Sequence, residues 1–327
     1  MISRFLHSCI FLCLLVPVIL LSGCGNRDSN DSARKKDPLK GKITISGAFA
    51  LYPVTVKWAE EFKKLHPRVT VNISAGGAGK GMADALSRMV DLGMYSKEVS
   101  PEEQAKGAWW IPVAKDAVLP TVNPSNPVIK QLKAKGMTRQ QFFDIFISGK
   151  IKLWGQVAGT PTREEVSVFT RSDACGAADM WAKYLNKKKQ EDLLGIGVNG
   201  DPGVAEAVKK NIGGIGFNNH NFVYDMHTRK MYAGIEVIPI DLNENGKLDP
   251  DEDFYGTLDG VMNAINSGKY PSPPARDLYF VSKGKPVDPL IRAFLEFVLN
   301  DGQNYVNEAG YVRINEEKLK AAIQKLK

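Results

Sequence analysis

Three times in this chain a short β-branched run breaks at a glycine-bearing turn and continues into an amphipathic helix. That repeated unit restricts the fold more than any other feature. The first runs from residues 42–46 through Gly47-Ala48-Phe49-Ala50-Leu51 into a helix with Val54, Trp58, Phe62 and Leu65 on one face. The second joins a strand at 69–73 to Gly76-Gly77-Ala78-Gly79-Lys80-Gly81 and a helix with Met82, Ala85, Leu86 and Met89 inward. The third joins 166–170 to Arg171-Ser172-Asp173-Ala174-Cys175-Gly176-Ala177, followed by Met180, Trp181, Tyr184 and Leu185 at helical spacing. Strand, turn and helix in repetition predict an α/β fold with a largely parallel sheet, whose ligands bind at the carboxyl ends of the strands.

The turns themselves carry chemistry. A helix start presents unpaired N–H groups and partial positive charge, and Arg171 adds a permanently charged planar fork, so the third turn suits an anion. A solvated arginine on a surface turn is the competing reading, and the two similar turns upstream weigh against it. The glycine-rich turn could suggest a nucleotide phosphate loop, but it lacks the GxxxxGK[ST] spacing. A turn that exposes N–H groups to a small anion fits it better.

The remainder predicts a second block after Asp116. It holds a crossing strand at 118–122, helices at 138–147 and around Trp154, and a helix opened by Asp201-Pro202 as N-cap and N1. Residues 211–217 read as turn and strand, the chain returns at 275–280, and helices at 288–299 and 316–323 close it. Two α/β lobes joined by two crossings, with anion turns on one rim, make a clam-shell that closes on a ligand.

Arg4 precedes an apolar run over residues 9–21, too short for a stable membrane span. Its end, Leu21-Ser22-Gly23-Cys24, resembles the lipobox of a bacterial lipoprotein signal peptide, which implies cleavage before Cys24 and lipid on its thiol. A plain signal peptide cut elsewhere is the alternative. Residues 24–41 are polar without apolar periodicity and read as a tether. Cys175 is then the one thiol left, so no disulfide framework is expected. The net charge of +7 is spread over lysine-rich helix faces with no arginine stripe, which argues against nucleic acid as a partner.

From about Lys42 to the C-terminus the residues resemble the phosphate-binding proteins of bacterial ABC transporters. The resemblance rests on residues 47–58, 76–81, 90–93, 145–150 with Trp154, and 171–177. Residues 213–217, 268–271 with 276–279, and Gly302-Gln303 with Gly310-Tyr311 continue it. It implies a type II periplasmic-binding-protein fold with two crossovers between lobes: lobe I from 42–115 and 274–327, lobe II from 116–273. It further implies an extracytoplasmic, lipid-anchored monomer that delivers phosphate to ABC permease subunits and uses no organic cofactor. The contacts carry over to Phe49, Ala50, Leu51, Ala78, Gly79, Ser96, Arg171, Cys175, Gly176 and Ala177. The chain departs from the family at four of these. Ala78 stands for the usual serine, Ser96 for an aspartate acceptor, and Cys175 and Ala177 for Ser and Thr beside the glycine. Each hydrogen bond lost to a charged ligand costs about 1.5–3 kcal/mol, which weakens phosphate binding, while the resemblance keeps phosphate first among small tetrahedral oxyanions. Ser172 remains as a donor, and Asp91 or Asp173 could restore an acceptor. A sensor or surface lipoprotein with altered specificity is the alternative function.

Residues 241–252 match an EF-hand loop position for position. Asp241, Asn243, Asn245 and Asp249 supply oxygens, Gly246 the sharp turn, Lys247 its backbone carbonyl and Glu252 the bidentate contact. A strand over 234–240 precedes it and a helix over 257–267 follows, so the expected occupant is a structural Ca²⁺; an acidic Asn-Gly turn is the plainer reading. Enzyme chemistry has little support. His66, His220 and His227 lie outside the anion turns, and Cys175, expected to be reactive with a depressed pKa at a helix start, has no CxxC partner or Cys-x₅-Arg loop.

Overall fold

A computed structural model describes residues 39–186 and 188–327. The expected signal peptide (1–23), the expected lipidation site Cys24 and nearly all of the expected tether lie outside the described residues. Among the described residues, no helix is long and apolar enough to cross a membrane.

Among the described residues nine strands form one sheet: β1 (Gly41–Gly47), β2 (Val69–Ala75), β3 (Leu92–Tyr95), β4 (Ala108–Val122), β5 (Ser167–Arg171), β6 (Ile196–Val198), β7 (Gly214–Asn219), β8 (Glu236–Val237) and β9 (Ala275–Lys283). The order is β2-β1-β3-β9-β4-β7-β5-β6, with β8 on β4. β2, β1 and β3 are parallel, as are β7, β5 and β6. Between the triplets β9 and β4 pair antiparallel to each other and to their neighbours. The expected largely parallel sheet is therefore mixed. Its two long strands serve both triplets, and a strand's own pattern does not reveal the sense of a partner far away in sequence.

The long strands connect two hydrophobic cores. One takes residues from Ile43 to Ala114 and from Leu278 to Leu326, and the other Ala117 to Ala275 with Val312. In the first, Trp58, Phe62, Phe280, Phe294 and Phe297 form a chain of tilted and edge-on ring contacts. In the second, Trp181 gathers Phe142, Phe146, Tyr184 and Phe217. Each such ring, fully buried, is worth about 1.5–3 kcal/mol of transfer free energy. The helical periodicity locates these faces but overruns their ends. Leu65 is the last residue of its helix and 56% exposed, and Met89 lies beyond the helix Ala78–Leu86 and is 73% exposed. The strand expected over 234–240 shortens to Glu236–Val237 on β4, with one isolated bridge from Ile240 to Met137.

Where β4 and β9 pass from one core to the other, polar groups are buried. Arg276 holds the Asp116 carboxylate through Nε at 2.8 Å and Nη2 at 3.1 Å, and Nη2 also donates to Asn219. Next to them His220 accepts from Ala117 N–H on Nδ1 and shares a 2.6 Å hydrogen bond between Nε2 and the Gly310 carbonyl. Burial holds its pKa below the usual imidazole range, so the ring is neutral and donates from Nε2.

Candidate functional site

The two parallel triplets run in opposite senses, and residues at all six carboxyl ends meet around one narrow, tightly closed hollow. β1 leads to Ala48, Phe49 and Ala50, β2 to Gly77 and Ala78, and β3 to Ser96. From the other triplet β5 supplies Arg171, Cys175, Gly176 and Ala177, β6 Asp201, and β7 Asn219. The elements touch so closely that side chains are excluded at key points. A Cβ on Gly176 would lie 2.1 Å from the Ser96 carbonyl oxygen, and one on Gly77 (φ +88°) 2.6 Å from the Asp173 carboxylate.

Three helices begin at this hollow: Phe49–Leu51 continuing as Tyr52–Leu65, Ala78–Leu86, and Gly176–Tyr184. The backbone N–H groups of Phe49, Ala50, Ala78, Gly176 and Ala177 have no acceptor among the described residues, as the first turn of a helix dictates. Each terminus adds roughly half a positive charge. Tyr311 donates to the Ala50 carbonyl at 2.7 Å and fixes the first of these turns.

Arg171 closes the set, with its side chain 1% exposed. Its Nε and Nη2 donate to Asp173 at 2.7 and 2.6 Å, and its Nη1 to Asp201 at 2.6 Å. The Phe49 ring lies 5.5 Å from its guanidinium carbon. Burial opposes the charge, but the carboxylates of Asp201 and Asp173 outweigh burial and raise the guanidinium pKa. Asp173, though half-buried, is held below the usual carboxylate range by Arg171 and by the Gly200 N–H. A guanidinium has five N–H donors. Three are committed to carboxylates, which leaves one each on Nη1 and Nη2. The site can therefore offer up to seven N–H donors to an oxyanion, while the arginine charge is already answered by two carboxylates.

Of the ten residues expected at the anion, eight line the hollow. Leu51 and Gly79 do not: their N–H groups donate to the Ala48 and Ala174 carbonyls. Ser172 is exposed and Asp91 accepts from Thr44, both away from the hollow. Cys175 differs most from expectation. It caps the helix Gly176–Tyr184 by accepting the Ala178 N–H on sulfur, is 4% exposed, and burial pushes its thiol pKa up to about 11. Desolvation outweighs the helix start here, so the thiol is protonated and unreactive. Asp201 and Asn219 escape a sequence reading. Asp201 is not the N-cap but lies inside the first turn of the helix Gly200–Lys210, fully buried, accepting from the Asn219 N–H at 2.9 Å. The parallel register that sets Arg171 beside Val198 brings it there.

The loop 241–252 is wound around its own carboxylates. Asp241 accepts from Asn245 and Gly246 N–H, and Glu252 from Leu242, Asn243 and Asp249 N–H. Both are nearly fully buried, and neither is ion-paired among the described residues. Asn243 and Asn245 donate to Asp249, and Gly246 takes the left-handed turn (φ +82°). Among the described residues no three His, Cys, Asp or Glu side chains converge as a ready ligand set.

Comparison with known proteins bears on this geometry. Residues 32–302 match the family model described as PBP superfamily domain. The chain is 27% identical over 318 residues to the phosphate-binding protein PstS of Staphylococcus haemolyticus, covering 94% of this chain and 93% of that one. It is 27% identical over 316 residues to PstS of Pseudomonas aeruginosa, covering 90% and 89%. A Clostridium perfringens protein solved with bound phosphate is similar in fold, with a TM-score of 0.68 and 22% identity over 84% of this chain and 100% of that one.

Proposed function

This chain belongs to the PBP superfamily, and we propose that it is a lipid-anchored, extracytoplasmic solute-binding protein that captures phosphate for an ABC importer. The observation that carries the reading is the ring of five unpartnered backbone N–H groups at three helix starts, with two spare N–H groups on Arg171. Donors of this kind need no hydroxyl side chain, which accommodates Ala78, Cys175 and Ala177. The acceptor that hydrogen phosphate needs is supplied by the Ser96 hydroxyl or by Asp201 at the rim of the hollow. The two cores act as lobes that swing about β4 and β9. Calorimetric titration of the chain following Cys24 with phosphate is expected to give a dissociation constant of about 1–10 μM, near −7 to −8 kcal/mol. Absence of heat at millimolar phosphate would remove phosphate as ligand. It would also favour the alternative, an anion sensor or surface lipoprotein, for which the missing hydroxyls speak.

We further propose that the loop 241–252 takes Ca²⁺ as a structural staple. Two buried carboxylates without cationic partners support this, as does a glycine already in the required conformation. Asp241, Asn243, Asn245 and Glu252 would contribute side-chain oxygens, Lys247 its carbonyl, and Asp249 a water-mediated contact. Weak extracytoplasmic sites bind at about 10⁻⁴–10⁻³ M, so 10 mM Ca²⁺, roughly 10–100 times Kd, should stabilise by about 1.4–2.7 kcal/mol. Calcium is then expected to raise Tm by several degrees and Glu252→Gln to remove that rise. The same rise in the variant would reduce the loop to a turn.

A further inference from the structure

A second polar cavity, of about 260 Å³, lies beside the crossing strands and opens between the end of β3, the start of β9 and the helix Gly176–Tyr184. Lys97, Lys115, Lys183 and Arg276 line it, and the three lysines are half-buried. Cations confined to one hollow in this way repel one another and are partly dehydrated, which is unfavourable unless anions answer them. The protein's own anions answer few of them. Asp277, also in the wall, is bound by Lys318 through Oδ2 while its Oδ1 is buried without a partner, Lys183 lies 3.2 Å from Asp179 on its own helix, and Glu98 is exposed. Lys97 and Lys115 have no ion pair among the described residues.

Arg276 provides an independent sign. It forms part of the wall with its side chain 4% exposed, and its Nε and Nη2 are engaged by Asp116 and Asn219. Its Nη1 is buried without a hydrogen-bond partner. Buried guanidinium nitrogens are rarely left so. The cavity is separate from the central hollow but shares structure with it. Lys97 follows Ser96, and Lys183 stands two turns beyond Gly176 on the same helix.

We propose that this cavity is a second anion site, for a small ligand carrying two or more phosphate or carboxylate groups. Lys97, Lys115 and Lys183 bind the charged groups, and Arg276 adds its free Nη1. A ligand there touches residues that pack in both cores, so it also favours the arrangement in which the central hollow is formed.

Pyrophosphate and citrate, each titrated into the full-length protein saturated with inorganic phosphate, test the site. At least one is expected to bind below about 1 mM, and Lys97→Gln/Lys115→Gln is expected to weaken it at least about a hundredfold. Phosphate affinity, measured separately in the same double variant, should stay within about twofold of the wild type. The variant removes two unpaired cations, so its Tm should hold; Lys183→Gln serves as a second variant and should weaken binding about tenfold. Heat from neither probe up to about 5 mM would overturn the proposal, as would unchanged binding in the variants. Because phosphate is titrated on its own, failure of the phosphate reading would appear in that titration and not in the response of the lysine variants.

Discussion

In Arg171→Ala, phosphate is expected to give no heat, and Tm is expected to fall by about 10 °C. Two effects have one cause. The side chain supplies the one cationic group among the described residues lining the hollow, with one spare N–H on each Nη. Each charge-assisted hydrogen bond lost to an anion costs about 1.5–3 kcal/mol, so losing both weakens binding at least about a hundredfold. The second effect is on the fold. Asp201, with its side chain 1% exposed, and Asp173, at 10%, would face each other without the guanidinium that joins them. Removing one partner of a buried pair costs about 3–5 kcal/mol, and a domain of this size moves by about 2–4 °C per kcal/mol. Arg171→Lys separates the effects. It keeps the charge but gives up the fork that holds Asp173 through two nitrogens, so most of the stability should survive while affinity falls by about tenfold or more. Wild-type phosphate affinity in Arg171→Ala would mean that the hollow is not the phosphate site.

Much of this site was legible because local chemistry specifies it. A β-branched run, a glycine turn and an amphipathic helix announce a helix start, and three such starts announce converging donors wherever the strands are parallel. Arg171 could be named from one stretch of chain. Asp201 could not, since its role depends on β6 lying beside β5, and Asp-Pro before an apolar periodicity reads equally well as a cap. Asn219 ends a buried strand and carries no local signal at all. Cys175 shows the opposite failure: the helix start was visible, but the burial that decides its pKa belongs to the packed core. Likewise the two crossings were legible from the order of elements, whereas the antiparallel pairing of β4 with β9 joins residues more than 150 positions apart.

The pair at those crossings carries the other large effect. Asp116→Ala is expected to lower Tm by about 10 °C, because Arg276, 5% exposed, would keep its charge with only the Asn219 amide oxygen as acceptor. The alternative is that the pair stabilises the crossing by its charges, and then replacing both residues should cost as much as replacing one. Desolvation argues otherwise, since a buried ion pair exchanged for apolar groups of similar volume is often neutral. Asp116→Leu/Arg276→Met should therefore recover most of the stability lost in Asp116→Ala. Binding should not recover with it. Arg276 holds the Asn219 side chain, the Asn219 N–H donates to Asp201, and Asp201 holds Arg171, so a chain of hydrogen bonds runs from the crossing strands to the hollow. Phosphate affinity in the double variant is expected to stay about three- to tenfold weak, the range of one lost positioning bond. Thermal melts and titrations of the wild type, both single variants and the double variant complete the cycle. A double variant as unstable as Asp116→Ala would show that the pair stabilises the crossing by its charges. Full recovery of affinity would show that the network does not reach the site.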